Sequence, residues 1–222
     1  MDKKSLGPAP SEIFWRIDSW FPELDSTTLG KLKKLHDELL RFNKTINLIS
    51  VKTIPAADVI HFADSILSCQ FIHGAKGPAE IFDLGSGNGF PGLVYAILFP
   101  KTVVRLVESD QRKAEYLKHA ASSLQLKNVE VLVRTIEAMP ERSIQFAMTR
   151  GLSNISRSLL MTRKSFKKGG ILFHIKGEEW ATEVADIPSQ LCSFWLPGLV
   201  SEYKLPIGSV KFAVVSTEKI AD

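Results

Sequence analysis

The chain has 222 residues, 45% of them hydrophobic and 23% charged, with 28 Lys+Arg against 24 Asp+Glu and a formal net charge of +4. That size allows one generous domain or a core with an appendage, and the composition excludes a disordered or collagenous chain. Two cysteines, Cys69 and Cys192, exclude a disulfide scaffold or a Cys-based zinc site, and no apolar run reaches the about 18 residues that span a bilayer. With no signal-peptide pattern behind Met1, a cytoplasmic protein without membrane partner or metal is expected.

Residues 1–75 read as a helical cap. Pro10-Ser11 opens a first helix that closes at Phe21-Pro22. Ser26 or Thr27 can cap a second, because Leu29, Leu32, Leu35, Leu39, Phe42 and Ile46 recur at spacings of 3 or 4. A third is expected from Pro55 to Phe71, with Pro in the first turn. Gly74, Gly77 and Pro78 then break the chain, and residues 76–222 change to strand–helix alternation. Strands are expected at 81–84, 103–107, 129–133, 144–149 and 170–176, with helices clearest at Gln111–Leu124 and Ser153–Phe166. Such alternation predicts a doubly wound, mostly parallel Rossmann-like α/β sheet. Leu199–Leu205 and Val210–Ser216, around Pro206-Ile207-Gly208-Ser209, suggest an antiparallel pair at its edge.

The charge is unevenly spread along these elements. Gly151 to Lys176 holds Arg157, Arg163, Lys164, Lys167, Lys168 and Lys176 and no acid, whereas residues 177–222 hold 3 basic and 7 acidic groups. One face attracting an anionic polymer is one reading, and a solvated helix face is the other.

The most informative stretch is Asp83-Leu84-Gly85-Ser86-Gly87-Asn88-Gly89-Phe90-Pro91-Gly92, which leaves a strand and enters a helix. Two motifs overlap in it. Gly87-x-Gly89-x-x-Gly92, with Glu108 placed 21 residues after Gly87, fits a dinucleotide fingerprint. Asp83-x-Gly85-x-Gly87-x-Gly89 fits the S-adenosylmethionine loop, in which an acid ends the first strand. The second is favoured, because Asp83 would repel a pyrophosphate yet can receive an ammonium, and Phe90-Pro91 crowds the place of a diphosphate. Glu108 can accept hydrogen bonds from ribose hydroxyls, and Ile136-Glu137 can edge an adenine pocket. A nicotinamide-dependent oxidoreductase stays open as the lesser alternative.

At the level of whole motifs the chain resembles the bacterial small-subunit ribosomal RNA methyltransferase G family, also called glucose-inhibited division protein B. The segments that carry the resemblance are 42–48, His61-Phe62-Ala63-Asp64-Ser65, Asp83 to Gly92, Glu108-Ser109 with Arg112-Lys113, Thr149-Arg150 and Lys176-Gly177. It implies a methyltransferase-type sheet and methyl transfer from S-adenosylmethionine to N7 of a guanine in the 530 loop of 16S rRNA, free or in a small-subunit particle. It carries donor binding onto Gly85, Phe90, Ile136, Glu137 and Arg150, and places Asn47, His61 and Asp64 at the same cleft. This sequence departs from the family pattern at Ile49, Ile60, Thr135, Gln145 and Lys211-Phe212, which bears on RNA contacts; Arg134 can stand in beside Thr135.

The chemistry accounts for what is missing. Guanine N7 carries no proton, so alignment with the methyl group suffices and no general base is required. An exocyclic-amine enzyme would show Asn/Asp-Pro-Pro-aromatic where this chain reads Met148-Thr149-Arg150-Gly151. Arg150 can hold the donor carboxylate or a phosphate by a planar fork. His61 and Asp64 form a structural pair or touch substrate. Arg112, Lys113, Arg134, Arg163, Lys164, Lys167, Lys168, Lys176 and Lys211 are the expected RNA contacts, with the basic block near the donor's edge of the sheet. The chain is expected to act as a monomer. An RNA-binding or assembly protein without methyl transfer is the alternative from another class.

Overall fold

The computed structural model describes residues 12–222. Pro10-Ser11, the expected start of the first helix, lies outside them, and only the turn α1 (Ile17–Trp20) is helical. Arg16 explains the difference. Its backbone N–H and its guanidinium donate to the buried Asp58 carboxylate at 3.1, 2.8 and 2.9 Å, which pins this segment against the cap. Asp25, rather than Ser26 or Thr27, caps α2 (Ser26–Phe42), accepting from the Thr27 and Thr28 N–H groups. The helix stops at Phe42, so Ile46 falls in a turn where Asn43 Oδ1 accepts from the N–H groups of Leu48 and Ile49.

The third cap segment is one helical path of three pitches: a 3-10 stretch Val51–Ala56, a π-helical turn Asp58–Ala63, and α3 (Asp64–Lys76). Pro55 lies in the 3-10 stretch, and the widened π turn carries His61. Such turns cluster at functional sites because they re-aim side chains.

Seven strands follow: β1 (Glu80–Leu84), β2 (Val103–Glu108), β3 (Val129–Val133), β4 (Ile144–Arg150), β5 (Phe166–Lys176), β6 (Trp195–Lys204) and β7 (Lys211–Lys219). Their order is β3-β2-β1-β4-β5-β7-β6, with β7 antiparallel to β5 and β6 and the other neighbours parallel. Helices α4 (Gly92–Leu98), α5 (Gln111–Ser123), α6 (Ile155–Thr162), α7 (Trp180–Ala185) and α8 (Ser189–Cys192) connect them. The expected helix at 153–166 ends early, because Phe166 is buried and already pairs with Ile144 as the first residue of β5. Lys167 and Lys168, expected between that helix and a strand from 170, are therefore on the strand itself.

Two apolar layers sandwich the sheet. Leu35, Phe62 and Ile66 of the cap share one continuous core with Tyr95, Met148 and Phe173, and Leu159, Phe166 and Trp195 belong to the layer on the other side. Strand order reverses between β1 and β4, which opens a crevice at their carboxyl ends, the place where open parallel sheets bind ligands.

Candidate active site

The crevice is a cavity of about 470 Å³, walled by the glycine loop, the end of β2, the end of β4 and the π turn. Gly85, Gly87, Phe90, Glu108, Lys113, His61 and Arg150 line it. Gly85 has φ +74°, and a Cβ there would come within 2.8 Å of Leu152 Cδ1. The left-handed backbone favours glycine, and a side chain there would have to displace the Leu152 methyl. The Phe90–Pro91 peptide is cis, and the Phe90 ring packs on Phe62 and His61 at centroid distances of 4.8 and 5.5 Å.

Glu108 stands where the sequence places it. Its carboxylate accepts from the Gly87 N–H at 2.7 Å and the Asp110 N–H at 2.8 Å, which clamps the loop and leaves lone pairs facing the cavity. A ribose diol suits such a wall.

Arg150 is held from three sides. Its Nε is 2.8 Å from Asp64 Oδ2, one Nη donates to the Ile60 carbonyl at 2.6 Å, and that nitrogen is 3.4 Å from His61 Nδ1. Asp64 in turn accepts from the Tyr203 hydroxyl at 2.6 Å. Burial raises the Asp64 carboxyl pKa, opposed by Arg150 and by the Tyr203 hydrogen bond. Breaking such a buried pair on one side leaves an uncompensated charge. The His61 imidazole is pushed down to about 3, by burial first and by the Arg150 charge second, so it is neutral at physiological pH. Arg150 can only donate, so Nδ1 accepts and the proton resides on Nε2. His61 and Asp64 thus do different jobs. His61 touches the cavity, whereas Asp64 sits behind Arg150 and fixes its direction.

Several expected contacts lie elsewhere. Asp83 does not reach the cavity; its Oδ2 accepts from the Gly92 N–H at 3.0 Å, beneath the loop, where burial pushes its pKa up to about 7. Ser86 donates to the Asp83 carbonyl and is buried. Gly89 shapes the loop at φ +89°, with Leu93 where a Cβ would stand. Ile136 is packed in the core and Glu137 is exposed in a 3-10 turn; neither walls the cavity. Asn47 is exposed, and its neighbour Leu48 lines the cavity instead.

The RNA-binding set divides in the same way. Lys113 is at the cavity, and exposed Lys211, paired with Lys204, is on the same sheet edge. Arg112 donates to the Thr45 carbonyl at 2.8 Å and ties the cap to α5. Arg134 lines a separate hollow with Phe82 and Arg105. Lys176 is mostly buried, donating to the Ser153 carbonyl at 2.7 Å and pairing with Glu183 at 2.8 Å; it holds two segments together. Arg163, Lys164, Lys167 and Lys168 are exposed at the end of α6 and the start of β5, the edge opposite the glycine loop. The basic block is therefore not beside the cavity, because β5 starts seven residues of β4 earlier than the crevice.

Leu48, Asn88, Ser109, Gly151 and Leu152 also line the cavity, and Tyr203 braces Asp64 behind it, with no role legible for any of them in the sequence. Ser109 and Leu48 adjoin recognised motifs; Tyr203 meets Asp64 across 139 residues of chain, with no local signal.

The glycine cradle, the acceptor wall of Glu108 and the cations Arg150 and Lys113 complement a ligand that joins a ribose to an amino acid, so the residues present fit S-adenosylmethionine. Comparison with known proteins agrees. A family model described as rRNA small subunit methyltransferase G matches residues 28–194. The chain is 56% identical over 210 residues to ribosomal RNA small subunit methyltransferase G 3 of Bdellovibrio bacteriovorus, covering 94% of this chain and 95% of that one. In fold it resembles a putative O-methyltransferase from Klebsiella pneumoniae (TM-score 0.58, 12% identity, 92% and 96% of the two chains). It also resembles a SAM-dependent methyltransferase from Aquifex aeolicus (TM-score 0.52, 19% identity, 69% and 93%).

Proposed function

The chain belongs to the small-subunit ribosomal RNA methyltransferase G family, whose methyl donor is S-adenosylmethionine, and from that premise we propose that it methylates N7 of a guanine in the 530 loop of 16S rRNA. The observation that carries the reading is the wall of the cavity: a glycine cradle, the acceptor Glu108 and a fixed Arg150. S-adenosylmethionine supplies the electrophilic methyl group when bound.

This chain's own residues supply position. Glu108 takes the ribose hydroxyls while its hydrogen bond to Gly87 keeps the loop shaped around them. Arg150, aimed by Asp64 and Tyr203, offers its remaining Nη to the donor's carboxylate. Neutral His61, with Nε2 free of any partner among the described residues, and Phe90 form the floor against which a base is excluded from water. In-plane attack by an unprotonated nitrogen needs alignment rather than base catalysis, and alignment of that kind supplies roughly 7–11 kcal/mol of a barrier. Among the described residues no helix is long and apolar enough to cross a membrane.

Isothermal titration with S-adenosylmethionine tests the site. The wild-type chain is expected to bind it, and Gly85→Val to bind at least 100-fold more weakly, because φ +74° strains a β-branched residue and its side chain must displace Leu152, which lines the same cavity. Equal affinities would remove the glycine loop from donor binding.

A further inference from the structure

The far edge of the sheet carries a second concavity, of about 500 Å³, at the opposite ends of the strands from the donor cavity. Its floor is apolar: Leu160, Leu191, Phe194 and the buried Trp195. Phe194 and Leu160 remain 42% and 52% exposed, which is costly for large apolar side chains that meet no partner. Its rim is cationic. Arg142 is held by Asp222 at 2.9 Å, and Lys219 is buried beneath the rim, donating to the Arg163 and Phe166 carbonyls. Arg163 and Lys164 on the rim, and Lys167 and Lys168 just beyond it, have no side-chain hydrogen bond or ion pair among the described residues. That sets them apart from Arg16, Arg105, Arg150 and Lys176, all paired with acids. Four like charges gathered on one edge with no ion-pair partner among the described residues make a local field that favours a polyanion. Glu141 is the remaining acid at the groove.

We propose that this groove is a second RNA-binding surface, in which Arg163, Lys164, Lys167 and Lys168 take backbone phosphates and Phe194 stacks on an unpaired base. Charge complementarity selects a polyanion, and an exposed ring set in a cationic rim is how single strands are held without sequence readout. The inference rests on the reading above for the identity of the RNA, but it adds a requirement. The seven residues of β4 separate the two edges by about 20 Å at 3.3 Å per residue, so the substrate must reach from one edge to the other. A minimal target-loop hairpin cannot fill both surfaces, whereas folded 16S rRNA can.

Filter binding across a salt series, with protein-free 16S rRNA and with a hairpin holding only the target loop, tests this. For wild-type protein the slope of log K against log salt is expected to be steeper on 16S rRNA. Replacing Arg163, Lys164, Lys167 and Lys168 together by Gln should reduce that slope by about 3 and leave hairpin binding and hairpin methylation unchanged. Phe194→Ala should weaken 16S binding about tenfold without moving the slope. An unchanged slope on protein-free rRNA would overturn the proposal, and so would a defect confined to protein-containing particles, which would mark a protein partner instead. The binding readouts do not depend on methyl transfer, so a wild-type protein that binds RNA steeply yet transfers no methyl group would overturn only the enzymatic reading.

Discussion

Asp83, next to last in β1, points beneath the glycine loop, where it accepts from the first N–H of α4. A Cβ on Gly92 would stand 2.5 Å from its Oδ2, so Asp83 and Gly92 require each other. Burial lifts its carboxyl from 3.8 to about 7. Between those values the folded chain holds a proton that the unfolded chain has released, so this group's contribution to stability falls as pH rises from about 4 to about 7. His61 and His174, both pushed down to about 3 by burial, act in the other sense: the unfolded chain binds the extra protons, and stability rises from about pH 3 to the ordinary histidine range. Total stability therefore mixes opposing slopes, and the difference between two proteins isolates one. Asp83→Asn keeps an acceptor for Gly92 and cannot ionise. Relative to wild type it should gain on the order of 3 kcal/mol between pH 4.5 and 7.5, read by urea unfolding at each pH. A flat difference would mean that Asp83 ionises freely in the fold.

At the scale of elements, the sequence made the parallel strands legible because each is a short apolar run bounded by turn residues. Its expectations for 81–84, 103–107 and 129–133 fall inside the observed strands to a residue or so. Boundaries set by tertiary contacts were not legible. Arg16 leaves a helix for Asp58, and Phe166 starts β5 within a segment whose lysines resemble a solvated helix face. The same physics divides the site. The glycine loop and Glu108 announce themselves by spacing, since a left-handed turn needs glycine and a strand end needs an acceptor. The bracing of Arg150 by Asp64 and Tyr203 is long-range and leaves no pattern. Lys176 is the clearest case of a charge whose role changed: at the end of β5 it resembles a phosphate ligand, yet it joins α6's leading segment to α7 through Ser153 and Glu183. Lys176→Met should lower stability by about 1–3 kcal/mol, with 16S rRNA affinity unchanged within twofold. The opposite pattern, intact stability and weakened binding, would return Lys176 to the RNA surface.

Across the whole molecule the fold separates two tasks along one axis. At the carboxyl edge, the reversal of strand order between β1 and β4 opens a cavity, and the helical cap closes over it by sharing the core with α4 and β4. The amino edge gathers unpaired cations around an apolar groove. A net charge of +4 conceals this arrangement, because acids in residues 177–222 offset the basic block along the chain without neutralising it in space. The central claim is the chemistry at the carboxyl edge. Its most direct test is mass mapping of 16S rRNA after incubation with the full chain and isotopically labelled S-adenosylmethionine. One labelled methyl on a guanine of the 530 loop is expected, with strand scission by aniline at that position marking N7. A label on another base, on an exocyclic nitrogen, or on no nucleotide at all would contradict it.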